Sequence, residues 1–220
     1  MNIFSKCHCE EPSWKRDKLR DKAIQDDEIA SPLARNDNKK ILLHICCSIC
    51  ASSVIEQLEA EGWQVECYFY NPNIHPVKEY KARLEDSASL LSKLKVPIYE
   101  GIYDKYEWDR RVKGLEKEKE GGRRCHPCFY LRLEETFNEA KRRKIPYFTT
   151  TLTVSPHKNS KIINSIGYLI GKDSFIAKDF KKKDGFKRAV ELSKEHNLYH
   201  QHYCGCVFSS PRDAVTSKSS

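Results

Sequence analysis

Short apolar runs alternate along the chain with segments in which apolar residues recur every three or four positions. The apolar runs predict strands at 41–45, 65–70, 96–99 and 147–152, with a short one near Phe175. The helical spacing predicts helices at 48–61, 77–95, 128–143, 161–170 and 186–196. Strands that alternate with helices form βαβ units, which place parallel strands in one sheet. The pattern therefore predicts an α/β fold of Rossmann-like architecture, a mostly parallel sheet flanked by helices.

The N-terminal segment 1–39 lacks this periodicity. Its charges nearly cancel, since residues 1–40 contain 9 Lys or Arg and 8 Asp or Glu. The chain has 220 residues, and a single domain usually takes roughly 100–200. We therefore expect a flexible charged extension at 1–39, one catalytic domain at 40–210 and a frayed tail at 211–220.

Neither the core nor the N-terminus of the sequence predicts contact with a membrane. The longest apolar stretch, at 41–51, is shorter than the about 20 apolar residues that a membrane-spanning helix requires. The N-terminus also lacks the apolar core of a secretory signal peptide. We expect a soluble, cytoplasmic protein.

Basic residues are concentrated in the predicted domain of this chain, whose net charge is +8. Segment 110–124 contains 7 basic and 3 acidic residues, segment 178–188 contains 6 and 2, and segment 141–144 is basic throughout. One such run is often only a solvated face. Several on one domain predict a polyanionic partner, which we expect to be nucleic acid.

Cysteine is the residue type that points most directly to chemistry, because the chain has 10 of them. In reducing cytosol, clustered cysteines indicate metal binding or redox catalysis rather than a disulfide framework. Seven fall into three groups: Cys46, Cys47 and Cys50; Cys125 and Cys128; Cys204 and Cys206. Of the remaining three, Cys67 fits a core position, and the Cys7 and Cys9 pair lies in the extension.

The predicted topology gives the first cysteine group a definite place. The group follows the first strand, at the start of the next helix, where many α/β proteins carry a phosphate-binding loop. Segments 71–75 and 149–155 leave the second and fourth strands at the same carboxyl edge, and ligands of open α/β sheets bind there. The sequence therefore predicts a metal site at this edge.

The residues alone leave three kinds of site open. Seven thiols exceed the four that a structural zinc ion takes, and the side chains of adjacent Cys46 and Cys47 are expected to diverge. Both features favour an iron–sulfur cluster over structural zinc or metal-free thiol chemistry. Cys204 and Cys206 flank a glycine, which suits a reducible pair, although two buried small residues would show the same pattern.

Five ordered segments resemble the epoxyqueuosine reductase family called QueH: ILLHICCSICASS, FYNPNIHPVKEYKARLE, GRRCHPCFYLRLEETF, FTTTLTVSPHKN and DFKKKDGFKRAVELSKEHNLYHQHYCGCVFS. The resemblance extends from about residue 40 to 210 and excludes the extension. It implies a metalloenzyme that reduces the epoxide of epoxyqueuosine to queuosine at the wobble position of tRNA. The physiological electron donor is left unidentified.

The resemblance also implies roles for individual residues. It implies [4Fe-4S] cluster ligands at Cys46, Cys47, Cys125 and Cys128, and a redox-active pair at Cys204 and Cys206. Cys50 is the candidate ligand of an adjacent iron ion. Asp104, His75 and Tyr70 stay open as proton donors. The expected contacts to substrate and tRNA are Tyr70, Asn71, Asn73, His75, Thr150, Ser155, Lys158, Lys181, Lys182, Lys183 and Arg188.

Two other functions fit parts of the pattern. PP-loop tRNA-modifying ATPases have a similar, HUP-like layout, but their phosphate loop is rich in glycine, and segment 46–50 has none. A non-catalytic zinc module that binds RNA would also use clustered cysteines.

Ser155-Pro156 further predicts a helix start, with Ser155 as the cap and proline at the first helical position.

Overall fold

The protein is described by a computed structural model that covers residues 39–209. The expectations for 1–38, with Cys7 and Cys9, and for the tail after 209 lie outside the described residues. The strands are β1 (Lys40–His44), β2 (Gln64–Phe69), β3 (Ile98–Glu100) and β4 (Tyr147–Thr150). The helices are α1 (Ser48–Ala60), α2 (Val77–Leu94), α3 (Lys105–Val112), α4 (Cys125–Arg142), α5 (Ser160–Gly171) and α6 (Gly185–Glu195).

The four strands form one parallel sheet in the order β3-β2-β1-β4. Strand β1 is central and its side chains from Ile41 onward are buried, which explains why it has a continuous apolar run rather than an alternating one. Helix α1 packs on α2 and α6, and α4 packs on α3 and α5. The predicted α/β fold with a parallel sheet is confirmed.

Several predicted elements differ from those of the structure. Strand β4 ends at Thr150 and the chain turns into a 3-10 helix, Thr151–Val154, instead of continuing to 152. The strand expected near Phe175 is a single parallel bridge to Phe148. Helix α4 begins at Cys125 rather than at 128, which places both cysteines of that group on the helix.

Two further differences concern helices: the start of α5 and the presence of α3. Ser155 caps no helix; α5 begins five residues later, and its cap is Asn159, whose side-chain oxygen accepts hydrogen bonds from the backbone N–H groups of residues 161 and 162. Helix α3 was not predicted because it is short and charged, and only Trp108 and Val112 are buried on it. Within the part of the chain that the structure describes, no helix has the length and apolar character required to cross a membrane.

Candidate metal and redox site

The first cysteine group occupies the turn from β1 into α1. Cys46, Cys47 and Cys50 are buried, and their three sulfur atoms lie within 4.8 Å of one another. The Sγ atoms of the adjacent pair, Cys46 and Cys47, are 3.9 Å apart, so the expectation that these side chains diverge is wrong. Both residues lie in the turn between the end of β1 at His44 and the start of α1 at Ser48, and the bend of this turn brings the sulfurs together. The group can hold a metal ion.

The other two cysteine groups share a second wall of the site. Cys125 and Cys128 lie in the first turn of α4, three residues apart and therefore on one helix face. They line a small cavity together with Cys204 and Cys206. All seven cysteines have free thiols in the structure. The backbone N–H of Gly121 donates to Cys125 Sγ over 3.2 Å.

One polar contact joins the C-terminal cysteine segment to the first group. The Gln201 side-chain amide donates to Cys47 Sγ over 3.0 Å. The loop that carries Cys204 and Cys206 is held by the segment after β2, because the backbone N–H of His75 donates to the carbonyl oxygen of Gly205 over 2.8 Å. Arg83 on α2 donates to the carbonyl of Tyr203 over 2.9 Å. The redox-pair loop is therefore held by both neighbouring elements.

Hydrogen bonds between thiols divide the charge within the Cys204/Cys206 pair and within the first cysteine group. The hydrogen bond from Cys206 lowers the pKa of Cys204 to about 6, although burial acts in the opposite direction. The same bond raises the pKa of Cys206. At neutral pH the pair therefore contains one thiolate and one thiol, which is the state that thiol–disulfide chemistry uses. In the first group, hydrogen bonds from Cys47 and Cys50 lower the pKa of Cys46.

The polar residues that leave β2 lie at the carboxyl edge of the sheet, as predicted. Asn71, Asn73 and His75 are buried there. The Asn71 amide donates to the carbonyl of Ile45 over 2.9 Å. Asn73 lines the cysteine cavity, and its Oδ1 has no hydrogen-bond partner among the described residues. Burial raises the pKa of the neighbouring Tyr70 to about 12, so this phenol stays protonated at neutral pH.

His75 combines a fixed ring with an unused nitrogen. Tyr103 Oη donates to the carbonyl of Ile74 over 2.8 Å and lies 3.0 Å from His75 Nδ1. This arrangement assigns the ring proton to Nδ1, and Nε2 is buried without a partner among the described residues. Burial lowers the pKa of His75 to about 4, so the ring is neutral near pH 7 and accepts, rather than donates, at Nε2.

Several other predicted residues have structural contacts of their own. Asp104 caps α3, accepting from the backbone N–H of Glu107 over 3.0 Å. Thr150 Oγ1 lies 2.9 Å from His44 Nδ1, whereas the next residue, Thr151, approaches Cys46 Sγ to 3.7 Å. Ser155 Oγ accepts from the backbone N–H of residue 157.

The predicted basic contacts fall into two classes. Lys181 donates to the carbonyls of Thr153 and Lys158 over 2.9 and 3.3 Å, and Arg188 forms two 2.9 Å bonds to Glu56. Lys182 and Lys183 are exposed, and neither forms a salt bridge within residues 39–209. Lys158 is half-buried and lines the cysteine cavity.

Three residues that the sequence did not single out also line this cavity, namely Trp108, Arg124 and Arg132. All three are buried. The side-chain N–H of Trp108 and the Nε–H of Arg124 have no partner among the described residues. Arg132 follows Cys128 by four residues in the same helix, and this spacing was a usable signal that it shares the cysteine face.

Gly205 offers a test of the redox-pair loop. Its φ is +99°, and a Cβ at this position would lie 2.7 Å from Cγ1 of Ile74. We expect Gly205→Ala to destabilise the protein by about 2–4 kcal/mol, from left-handed strain plus steric overlap. Gly62→Ala is the matched control, because Gly62 also has positive φ, +81°, with nothing within 4 Å of its Cβ.

Thermal unfolding and the reaction rate of the Cys204 thiol with a thiol reagent provide the two measurements. Gly62→Ala should cost only about 1–2 kcal/mol and leave the thiol rate unchanged. Equal losses of stability in the two variants, with equal thiol rates, would show that the loop does not depend on the close approach of Gly205 to Ile74.

Comparison with known proteins agrees with the motifs of the sequence. The sequence model of a protein family described as epoxyqueuosine reductase QueH matches residues 41–212. A Haemophilus influenzae protein named epoxyqueuosine reductase QueH is 40% identical over 176 residues, 78% of this chain and 72% of that protein. Proteins of the same name from Streptococcus pyogenes and Histophilus somni are 38% and 35% identical, over 80% and 93% of this chain and 72% and 88% of their own lengths.

Proposed function

The chain belongs to the epoxyqueuosine reductase family QueH, and we propose that it reduces epoxyqueuosine to queuosine at the wobble position of cytoplasmic tRNA. This is the last step of queuosine biosynthesis. The observation that carries the proposal is the placement of seven cysteines at one sheet edge, where two groups line one cavity and Gln201 links that segment to the third. Such a site combines metal ligands with a thiol pair that can change oxidation state.

The donor set fits an iron–sulfur cofactor. A [4Fe-4S] cluster takes four cysteine thiolates, and we assign Cys46, Cys47, Cys125 and Cys128 to it. Within residues 39–209 none of the four forms a disulfide, and three of the four are buried, which suits ligands of a cluster shielded from water. Cys50 is then the ligand available to an adjacent iron ion. When bound, this metal centre would pass electrons on to the substrate and would polarise the C–O bond of the epoxide.

Cys204 and Cys206 supply the reducing equivalents in this proposal. Conversion of an epoxide to an alkene consumes two electrons and two protons, and the oxygen leaves as water. Oxidation of one thiolate and one thiol to a disulfide releases two electrons and one proton. The second proton must therefore come from solvent or from a protonated side chain such as Tyr70. An external electron donor must then reduce the disulfide before the next turnover. The Cys204 thiolate favours this exchange, since the thiolate is the reactive form.

Polar groups of the cavity wall can bind the substrate. Asn73 and Trp108 line the cavity; the Asn73 side-chain oxygen can accept a hydrogen bond and the Trp108 N–H can donate one, and neither has a partner among the described residues. The ring of His75 lies 5.3 Å from that of Trp108, and its Nε2 is a further acceptor without a partner among those residues. Buried polar groups are nearly always paired, so a ligand that carries hydroxyl groups would satisfy them. The diol of the epoxyqueuosine ring carries such hydroxyls.

Metal analysis tests the cofactor and separates the proposal from a zinc RNA-binding module. Protein purified without oxygen should contain iron and acid-labile sulfide. Zinc near one per chain in a colourless protein would contradict the proposal. The cysteine-filled turn after β1 gives no support to ATP turnover, because the backbone cradle of a phosphate loop requires glycines there.

Exposed lysines before α6 provide the test of tRNA binding. Lys182→Ala with Lys183→Ala should weaken tRNA binding and flatten its salt dependence by about 0.9 log unit per lost phosphate contact on duplex, or about 0.7 on single strands. Iron content should be unchanged. Lys181→Ala should have a second effect, because the Lys181 ammonium group donates to the carbonyl of Lys158. The loss of this hydrogen bond should disturb the cavity that Lys158 lines. Binding titrations at several salt concentrations measure both effects, and an unaltered slope in the double variant would exclude phosphate contacts at these lysines.

A further inference from the structure

Arg132 is a buried cation without an anionic partner among the described residues. Its side chain is 3% exposed, and its contacts are to neutral oxygens: Nε donates to the carbonyl of Cys128 over 3.2 Å, and Nη1 to Oδ1 of Asn71 over 3.5 Å. Removing a charge from water costs several kcal/mol unless an opposite charge compensates it. The position therefore implies a negative charge that the carboxylates of residues 39–209 do not provide.

Lys158 is a second cation of this cavity without an anionic partner among the described residues. It is half-buried and lines the same cavity as Arg132, and within residues 39–209 its ammonium group forms no salt bridge. The carboxylate that lines this cavity, Glu120, is exposed and pairs with neither cation. The remaining anions available to both cations are the cysteine thiolates.

We propose that Arg132 and Lys158 are positioning residues that balance the negative charge of the thiolate-bound cofactor and raise the potential at which it accepts an electron. This inference rests on the proposed function. Each electron added to a thiolate-ligated centre increases its negative charge, and a nearby cation in a medium of low dielectric constant stabilises that added charge. Arg132 has the larger role, since it is the more deeply buried of the two.

Arg132→Met in the full-length, metal-loaded protein tests this proposal. Methionine keeps the length and apolar stem of the side chain but removes the charge, and Arg132→Lys restores the charge without the guanidinium. The matched control is Arg142→Met, ten residues later in the same helix, where the arginine is paired with Glu135 and Glu139 at the surface. The readouts are iron and sulfide content and the midpoint potential of the cofactor from a spectroscopic redox titration.

We expect Arg132→Met to disfavour cofactor reduction at least tenfold, which is a shift of about 59 mV to more negative potential for one electron. Arg132→Lys should retain most of the wild-type potential, and Arg142→Met all of it. Loss of iron in Arg132→Met but not in Arg132→Lys would also support the proposal, because the charge alone distinguishes these variants.

An unchanged potential in an iron-replete Arg132→Met variant would overturn the proposal. Loss of iron in both Arg132 variants would also overturn it, because that result would show that the guanidinium hydrogen bonds matter rather than the charge. Lys158→Met gives an independent test at a less buried position and should shift the potential in the same direction by a smaller factor. Wild-type protein without iron or sulfide would instead reject the cofactor of the proposed function itself.

Discussion

Replacing Cys125 or Cys128 with alanine is expected to remove most of the iron and sulfide from the purified protein. Both residues lie in the first turn of α4, and no other cysteine of that helix can substitute for either one. A cluster that takes four thiolates loses a quarter of its ligands with each change. Absorption spectroscopy and iron and sulfide analysis measure the loss.

Cys67→Ala is the control for these cluster variants. Cys67 is fully buried in β2, and burial raises the pKa of its thiol, so it is a core residue without ligand character. The Cys67→Ala protein should keep its iron even if it loses some stability. Full iron content in both Cys125→Ala and Cys128→Ala would contradict the ligand assignment.

Changing Cys204 or Cys206 to serine is expected to abolish turnover while most of the iron stays in place. The serine hydroxyl preserves the size of the side chain but cannot form a disulfide, so the two electrons of the dithiol are lost. The pair lies in its own glycine loop, held by His75 and Arg83, and this loop does not depend on the sulfur atoms for its position. Binding of tRNA should also be unchanged.

The decisive experiment measures iron content and single-turnover reduction of the epoxide in the same preparations of each serine variant. Loss of iron in Cys204→Ser or Cys206→Ser would make the pair cofactor ligands and leave the proposed reaction without its thiol reductant. Retained turnover with retained iron would show that electrons reach the substrate by another route.

The sequence was sufficient to predict the parallel α/β fold and the position of the first cysteine group. The apolar run of β1 and the helical spacing after it are local signals, and together they place Cys46 at the carboxyl edge of the sheet. Helix α3 escaped prediction because only Trp108 and Val112 are buried in a segment that is otherwise charged. Its Trp108 packs against the rings of His75 and Phe208, which are distant in sequence.

The contacts of individual side chains could not be predicted, because they depend on partners far along the chain. Lys181 and Arg188 belong to a basic run that resembles an RNA-binding surface. In the structure, Lys181 instead holds backbone carbonyls, and Arg188 pairs with Glu56, 132 positions away. Composition gives no information on such pairings. It could not separate these two residues from Lys182 and Lys183, which form no salt bridge with any residue of 39–209.

The central claim is that this chain reduces the epoxide of epoxyqueuosine in tRNA. The most direct test is to incubate anaerobically purified, metal-loaded protein with epoxyqueuosine-containing tRNA and a chemical reductant, and to analyse the digested nucleosides by mass spectrometry. The account predicts that epoxyqueuosine disappears as queuosine, lighter by one oxygen atom, appears in equal amount, and that the Cys204→Ser variant forms none. Unchanged epoxyqueuosine after incubation with iron-replete wild-type protein would contradict it.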